Sequence, residues 1–212
     1  MRALQVLPLV AALAACSTAP SVTPGSGGDH RGESAADVQH ITAVLKSSMH
    51  ERGQANMSRI DVDELQRLCN QYADNPPAEQ AKRMEEAQLK AIAFPSGSLM
   101  GDWKAGEKIA QSGRGMTWSD KPGDSGGSCY NCHEISPKEE AFGTIGPSLK
   151  GFARVRGNGP EVQRYVYGKI YNAKAYNACS TMPRFGHSGT LTEQQIKDLT
   201  ALLLDPASPV NQ

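Results

Sequence analysis

Residues 128–135 read "SCYNCHEI", and this stretch decides how the rest of the chain is interpreted. Cys129 and Cys132 are separated by two residues, and His133 directly follows the second cysteine. Three kinds of site use two cysteines this close together: a thiolate metal site, a redox-active disulfide and a covalently attached haem. The spacing within the motif and the rest of the sequence discriminate between them.

The C-x-x-C-H spacing is typical of c-type haem attachment. Two thiols at this spacing reach the two vinyl groups at one edge of a porphyrin, and the adjacent histidine then lies under the iron. A structural zinc site needs a second pair of ligands at similar spacing, and a redox-active pair usually lies near a βαβ pattern; neither is visible in the sequence. We therefore predict one haem c bound through Cys129 and Cys132, with His133 as an axial ligand of the iron.

The second axial ligand is predicted by elimination. Met182 is the one methionine that follows the motif, 49 residues after His133. Pro183 comes next and restricts the backbone of Met182 to extended geometry. We predict Met182 as the ligand, with His187, Cys179 or an open position as the alternatives. A histidine–methionine pair raises the reduction potential of a haem and suits electron transfer.

Other residues near the motif are candidates for contacts around the haem. A carbonyl in the loop at Gly146-Pro147 could accept the Nδ1 proton of His133 and fix the ring. Arg154 and Arg156 could pair with the haem propionates, because guanidinium groups form forked hydrogen bonds with carboxylates. The alternative for both arginines is an ordinary solvated surface position.

The N-terminus predicts export. Residues 3–15 form a short apolar run after Arg2, too short to span a bilayer as a helix, and typical of a secretory signal peptide. The run ends in "LAAC" (residues 13–16), which resembles the lipobox of bacterial lipoproteins and predicts a lipid on Cys16. The alternative is ordinary cleavage near the alanines, with Cys16 incidental. We expect a periplasmic protein that reaches the membrane only through this lipid.

Counting the five cysteines leaves two that the lipid and haem sites do not use. One lipid site at Cys16 and two haem thioethers leave Cys69 and Cys179. In an oxidising compartment two remaining cysteines are expected to form a disulfide. The alternative is a free thiol near the haem, or a thiol that binds a metal.

The rest of the chain is read as helical, with no convincing β-strand. The formal net charge of zero gives no field that would favour nucleic acid. Asp61 with Glu64 predicts the start of one helix, and Thr192 with Gln195 predicts a capping box at the start of the last one. The segments before residue 95 are a signal peptide (1–15), a linker rich in Pro, Gly and Ser (16–33) and a helical N-terminal extension (34–94).

The second half of the chain resembles known cytochromes. "GDWKAGEKIAQ" (101–111), "CYNCH" (129–133) and "LTEQQIKDLTALLL" (191–204) are similar to class I cytochromes c. The stretches "GTIGPSLKGFARVRG" (143–157), "KIYNAKAYNACSTMPRFG" (169–186) and "ALLLDPASPVNQ" (201–212) resemble the SoxX family, the monohaem subunits of SoxAX cytochromes in thiosulfate-oxidising bacteria. The resemblance is strong over residues 90–212 and looser over 60–90.

The resemblance implies an all-α chain, with a class I cytochrome c-like haem domain over residues 95–212 that follows the N-terminal extension. It further implies a partner, SoxA, and a joint L-cysteine S-thiosulfotransferase reaction, in which thiosulfate is joined oxidatively to a cysteine of the carrier SoxYZ. This chain would be the electron-accepting subunit, with no catalytic residue of its own, and would pass electrons to a small soluble cytochrome c.

Two other hypotheses remain open at the level of the sequence. A stand-alone, lipid-anchored cytochrome that carries electrons for a respiratory chain would use the same haem residues. Residues 34–94 could also form a regulatory or scaffold module, because shorter members of the family lack this region.

Overall fold

The computed structural model describes residues 34–120 and 125–212, and these residues are all helical or irregular. They contain no β-strand; one isolated antiparallel bridge joins Arg52 and Ala55. The predicted all-α class is therefore confirmed for this part of the chain. The predicted signal peptide, Cys16 and the linker lie outside the described residues. The α-helices are α1 (Ala35–Ser48), α2 (Glu64–Gln71), α3 (Ala78–Lys90), α4 (Trp103–Gln111), α5 (Phe152–Arg156), α6 (Pro160–Tyr171) and α7 (Glu193–Leu204).

Three helices form the predicted N-terminal extension, and their starts follow from capping side chains. Ser34 and Asp37 form a capping box at α1. Asp63 caps α2, because its side chain accepts a hydrogen bond from the N–H of Gln66 while the Gln66 side chain binds the N–H of Asp63. The prediction that Asp61 starts this helix is wrong by two residues. Asp61 instead lies outside the helix and pairs with Lys46 at 2.7 Å.

The main hydrophobic core lies among α4, α6 and α7. Gly106 and Ala110 of α4 are both buried. A Cβ atom on Gly106 would lie 2.2 Å from the carbonyl oxygen of Asp198 in α7, so the two helix backbones are in direct contact there. Thr192 and Gln195 form the predicted capping box of α7. The most deeply buried apolar side chains of this core are Tyr167, Val166, Ile196, Leu202, Leu204 and Val210.

A second, smaller cluster connects the extension to the segment before Met182. Its buried members are Leu65 and Cys69 from α2, Met84 from α3 and Ala178 from the later segment. By contrast, α1 contributes no buried side chain. None of the helices in the two described ranges is both long enough and apolar enough to cross a bilayer.

Candidate haem site

The cysteine motif forms a tight turn. Residues Cys129–Asn131 are a short 3-10 helix, and the N–H groups of Cys132 and His133 both donate to the carbonyl of Cys129, at 3.1 and 2.9 Å. Ser128 begins the turn in the left-handed region, with φ of 48°. The turn therefore carries both thiols and the imidazole on one short stretch of backbone. Neither sulfur takes part in a disulfide bond.

The surroundings of Cys129 favour an uncharged sulfur. Its side chain packs against the main core. Burial raises the pKa of the Cys129 thiol to about 12, so the thiol is neutral at physiological pH. A zinc site or a reactive redox cysteine needs a thiolate. A thioether carries no charge, so a neutral, partly buried sulfur at this position is compatible with a covalent haem.

The imidazole of His133 is oriented by the loop that follows the motif. Nδ1 of His133 lies 2.7 Å from the carbonyl oxygen of Pro147, as the sequence predicted for this loop. A carbonyl only accepts hydrogen bonds, so Nδ1 carries the proton and Nε2 keeps its lone pair for a metal. Gly146 packs flat against the ring, since a Cβ there would lie 2.2 Å from Cε1. The ring therefore has the tautomer and support typical of a ligating histidine.

Further contacts fasten this loop to the motif. The N–H of Gly143 donates to the carbonyl of Tyr130 at 2.8 Å, and the N–H of Gly146 donates to that of Cys132 at 2.7 Å. Hydrogen bonds from Lys150 and Ser148 lower the pKa of Glu134, which holds the far end of the loop. The position of Pro147 is thus fixed from both sides.

Arg154 and Arg156 lie on α5, and both are exposed. The guanidinium of Arg156 lies 6.0 Å from the ring centroid of Phe152, at the outer limit of a cation–π contact. The propionate contacts proposed for these arginines stay a prediction.

Met182 lies in an irregular segment that we call the methionine loop, residues 178–187. Its side chain is half-buried and packs against the main core, which Cys129 and Tyr130 also contact. Two of its competitors have other partners. Cys179 is in a disulfide, and His187 is exposed with Nε2 4.0 Å from a carboxylate oxygen of Asp63. The protein still shields part of the His187 ring from water, and this desolvation together with the nearby Arg184 charge lowers the pKa of His187.

The predicted disulfide is present. Cys69 and Cys179 are bonded, with a Cα–Cα distance of 5.6 Å and a separation of 110 residues along the chain. Asp74 lies beside the two sulfurs, in an arrangement that could otherwise hold a metal ion. Because both sulfurs are used in the bond, the alternatives of a free thiol and of a metal site at these cysteines are wrong.

One contact of the methionine loop has no signal in the sequence. The guanidinium of Arg184, two residues after Met182, donates to Asp63 at the start of α2. Burial tends to raise the pKa of Asp63, but the hydrogen bond from Gln66 and the pairing with Arg184 lower it below its ordinary value. The residues are 121 positions apart, so no local pattern in the sequence could have indicated the pair.

An open cleft of about 490 Å³ separates α2 from the methionine loop. Polar and apolar side chains both line it, and burial lowers the pKa of Lys174, one of its two cationic groups. Cys179 also lies in the lining, together with Met182 and Arg184.

Fold and site together define an all-α protein with a C-x-x-C-H turn on its main core and a disulfide beside the methionine loop. A comparison with models of protein families gives no match. The chain is similar to an uncharacterized lipoprotein of Aquifex aeolicus (strain VF5), with 36% identity over 154 residues, which cover 71% of this chain and 73% of the relative. The chain belongs to the same family as this lipoprotein.

The disulfide predicts a change in thiol count on reduction. Unfolded protein that has not been reduced should show no thiol from Cys69 or Cys179, and a reductant should add two. Titration with a chromogenic disulfide before and after reduction measures this difference. A variant with both residues replaced by serine is the control and should gain none. An equal count in the wild-type protein before and after reduction would refute the bond.

Proposed function

We propose that this chain is a c-type cytochrome, and within that class the SoxX subunit of a SoxAX complex. One observation carries the first part: both thiols of the motif are unpaired while Nδ1 of His133 donates to Pro147. That arrangement leaves two sulfurs for thioether bonds and one nitrogen for iron. The class I cytochrome c-like fold is part of this proposal, supported by the contact of α4 with α7 beside the motif.

In this proposal the residues of the chain bind and orient one haem c. Cys129 and Cys132 hold it covalently, and His133 and Met182 ligate the iron. When bound, haem supplies a one-electron redox couple. The main core excludes water from the Cys129 side, and the Pro147 carbonyl keeps the proton on Nδ1 of His133. With His133 and Met182 both available to hold the iron, the site would suit electron transfer rather than binding of a substrate.

The second part of the proposal rests on the resemblance of three stretches to SoxX, and the first and last of these stretches meet in the fold. The N–H of Gly151 in the first stretch donates to the carbonyl of Val210 in the last, at 2.7 Å. The N–H of Ala153 donates to the side chain of Asn211 at 2.9 Å. The middle stretch is folded back on itself, with the N–H of Gly186 bound to the carbonyl of Tyr171. The resembling residues thus have structural roles that depend on one another.

The reaction class follows from that resemblance. SoxA would carry the sulfur-reactive cysteine, SoxYZ would accept the thiosulfate sulfur, and this chain would accept the electrons released. A small soluble cytochrome c would then take them. The chain would be the electron-accepting subunit of an L-cysteine S-thiosulfotransferase, and we assign no catalytic residue to it. Within the described residues the sulfurs of Cys69 and Cys179 are bonded to each other, which agrees with a catalytic cysteine elsewhere.

Purification from the native host tests the proposed partner. We expect a second cytochrome to co-purify, and we expect thiosulfate together with SoxYZ to reduce the haem of the complex, followed by its absorbance. Sulfite in place of thiosulfate is the control. Isolation as a single cytochrome, with haem that thiosulfate and SoxYZ leave oxidised, would contradict the SoxX assignment. It would favour the alternative, a stand-alone lipid-anchored electron carrier of a respiratory chain.

The ligand assignment predicts the effect of Met182→Ala. The oxidised variant should lose the thioether-to-iron charge-transfer band, and its reduction potential should fall by roughly 100 mV, within the span of about 0.8 V that axial ligands give. Absorbance spectroscopy and a redox titration measure both. Met116→Ala is the matched control, since Met116 is also partly exposed but lies before the motif. An unchanged band in Met182→Ala would refute the assignment.

We also propose that the mature chain starts at a lipidated Cys16 and is periplasmic, held at the membrane by that lipid. The lipobox-like "LAAC" supports this, and so does the family relative, which is itself described as a lipoprotein. Intact-mass analysis of the protein from its membrane fraction should show an acylated chain that begins at Cys16. Cys16→Ser should release the protein into the soluble fraction. An unmodified chain that begins at Ser17 or later would contradict the anchor.

A further inference from the structure

We propose that α2 and α3 act as a strap that holds the methionine loop, and that Asp63 is a positioning residue for Met182. The inference rests on the proposed function, because it assumes that Met182 ligates the iron. It gives the N-terminal extension a role at the haem site. The methionine loop is attached to α2 and α3 by three sets of contacts.

The first attachment is covalent, and its Cys69 end is buried. Cys179 is three residues before Met182 and is bonded to Cys69 of α2. Cys69 is 2% exposed and lies in the second cluster with Leu65 and Met84, so the bond is embedded in packed side chains. A crosslink that closes 110 residues strongly restricts the separation of α2 from the loop.

The second attachment is the ion pair between Arg184 and Asp63, on the other side of Met182. The Arg184 side chain is 14% exposed and that of Asp63 is 38% exposed. Asp63 is itself fixed, because its carboxylate also accepts the N–H of Gln66 at 2.8 Å to start α2. The carboxylate that pairs with Arg184 therefore also caps α2, and this second contact fixes its position at the start of the helix.

The third attachment comes from α3. The N–H of Ala178 donates to Oε1 of Glu85 at 3.0 Å. Just before the loop, the side chain of Asn172 donates to Gln88 at 2.8 Å. The start of the loop is thus bound to α3 and α2 together.

Residues 178–184 receive little comparable support from the haem-binding half of the chain. Within the part of the chain that the structure describes, their hydrogen bonds beyond residues 177–188 go to Asp63 and Glu85. The backbone hydrogen bonds between the loop and α6 in the described ranges come later, where the N–H groups of Gly186 and His187 donate to the carbonyl of Tyr171. Met182 packs on the main core through its side chain. Its backbone lies between the disulfide at Cys179 and the ion pair of Arg184.

A loop held in this way should resist displacement of its methionine. An external ligand such as imidazole must move Met182 away before it can bind iron at that position. If the strap is weakened, the equilibrium constant for opening of the loop rises. The apparent affinity for imidazole then rises by the same factor. The affinity for imidazole therefore measures the strap separately from overall stability.

Asp63→Asn tests the strap without removing the helix cap. Asparagine is as good an N-cap as aspartate, so α2 keeps its start while the charge that pairs with Arg184 is lost. We expect imidazole to bind the oxidised holoprotein about two- to fivefold more tightly, since a partly exposed ion pair contributes at most about 1 kcal/mol. Asp61→Asn is the matched control. It removes an ion pair of the extension that touches Lys46 and not the loop, and it should change the affinity less than twofold.

Replacing Cys69 and Cys179 together by serine removes the covalent attachment. We expect a larger rise in imidazole affinity, roughly tenfold or more, with faster amide hydrogen exchange in residues 178–184. Equal imidazole affinities for Asp63→Asn, Asp61→Asn and the wild type would overturn the proposal. So would a lower melting temperature in Asp63→Asn with an unchanged affinity, because that result would mean that Asp63 only stabilises the fold.

Failure of the proposed function would look different. A wild-type protein without covalent haem, or with haem that lacks the thioether band, refutes the ligation by Met182 itself. The proposed role of the strap in positioning Met182 is then refuted as well. A wild-type protein with the band and strap variants without an effect refutes the strap alone.

Discussion

The contact of Gly106 with the backbone of Asp198 determines where the cysteine motif lies. It lets α4 pack directly on α7, at a distance that any side chain at position 106 would prevent. The end of α4 then holds the approach to the motif, because the carbonyls of Ile109 and Ser112 accept the N–H groups of Gly127 and Ser128, at 2.8 and 3.0 Å. Through Val210, the segment after α7 binds the loop that carries Pro147. Both supports of His133 therefore depend on one pair of helices.

The extension is organised in a different way. The second cluster has four buried members, of which three belong to the extension, and this is too few for a stable core of its own. Helix α1 buries no side chain. A disulfide and an ion pair compensate for the missing apolar area, and both connect to the methionine loop. The stability of the extension and the position of Met182 are therefore coupled through the same few contacts.

Features encoded over a few residues could be predicted from the sequence, and contacts between distant segments mostly could not. The capping box of Thr192 and Gln195 is such a local signal, and it is confirmed. The pairing of Cys69 with Cys179 followed from counting cysteines rather than from geometry. Asp61 with Glu64 predicts the start of α2, whereas the helix is capped by Asp63.

Gln66 completes a local capping box with Asp63, and tertiary contacts further separate the two aspartates. Asp63 faces Arg184, whereas Asp61 faces Lys46, and neither partner is near in sequence. The same limit explains α1, whose apolar residues have helical spacing but no buried surface in this chain. Periodicity predicts which face of a helix is apolar, and only the fold shows whether another segment covers it.

The protonated state of Cys129 has a kinetic consequence for the order of oxidation. Raising the pKa of the Cys129 thiol lowers the fraction of thiolate at neutral pH, and the thiolate is the form that attacks a disulfide. In an oxidising compartment, we therefore expect the burial of Cys129 to slow the formation of a disulfide with Cys132. The chain can close the bond between Cys69 and Cys179 and still keep a reduced pair of thiols at the motif.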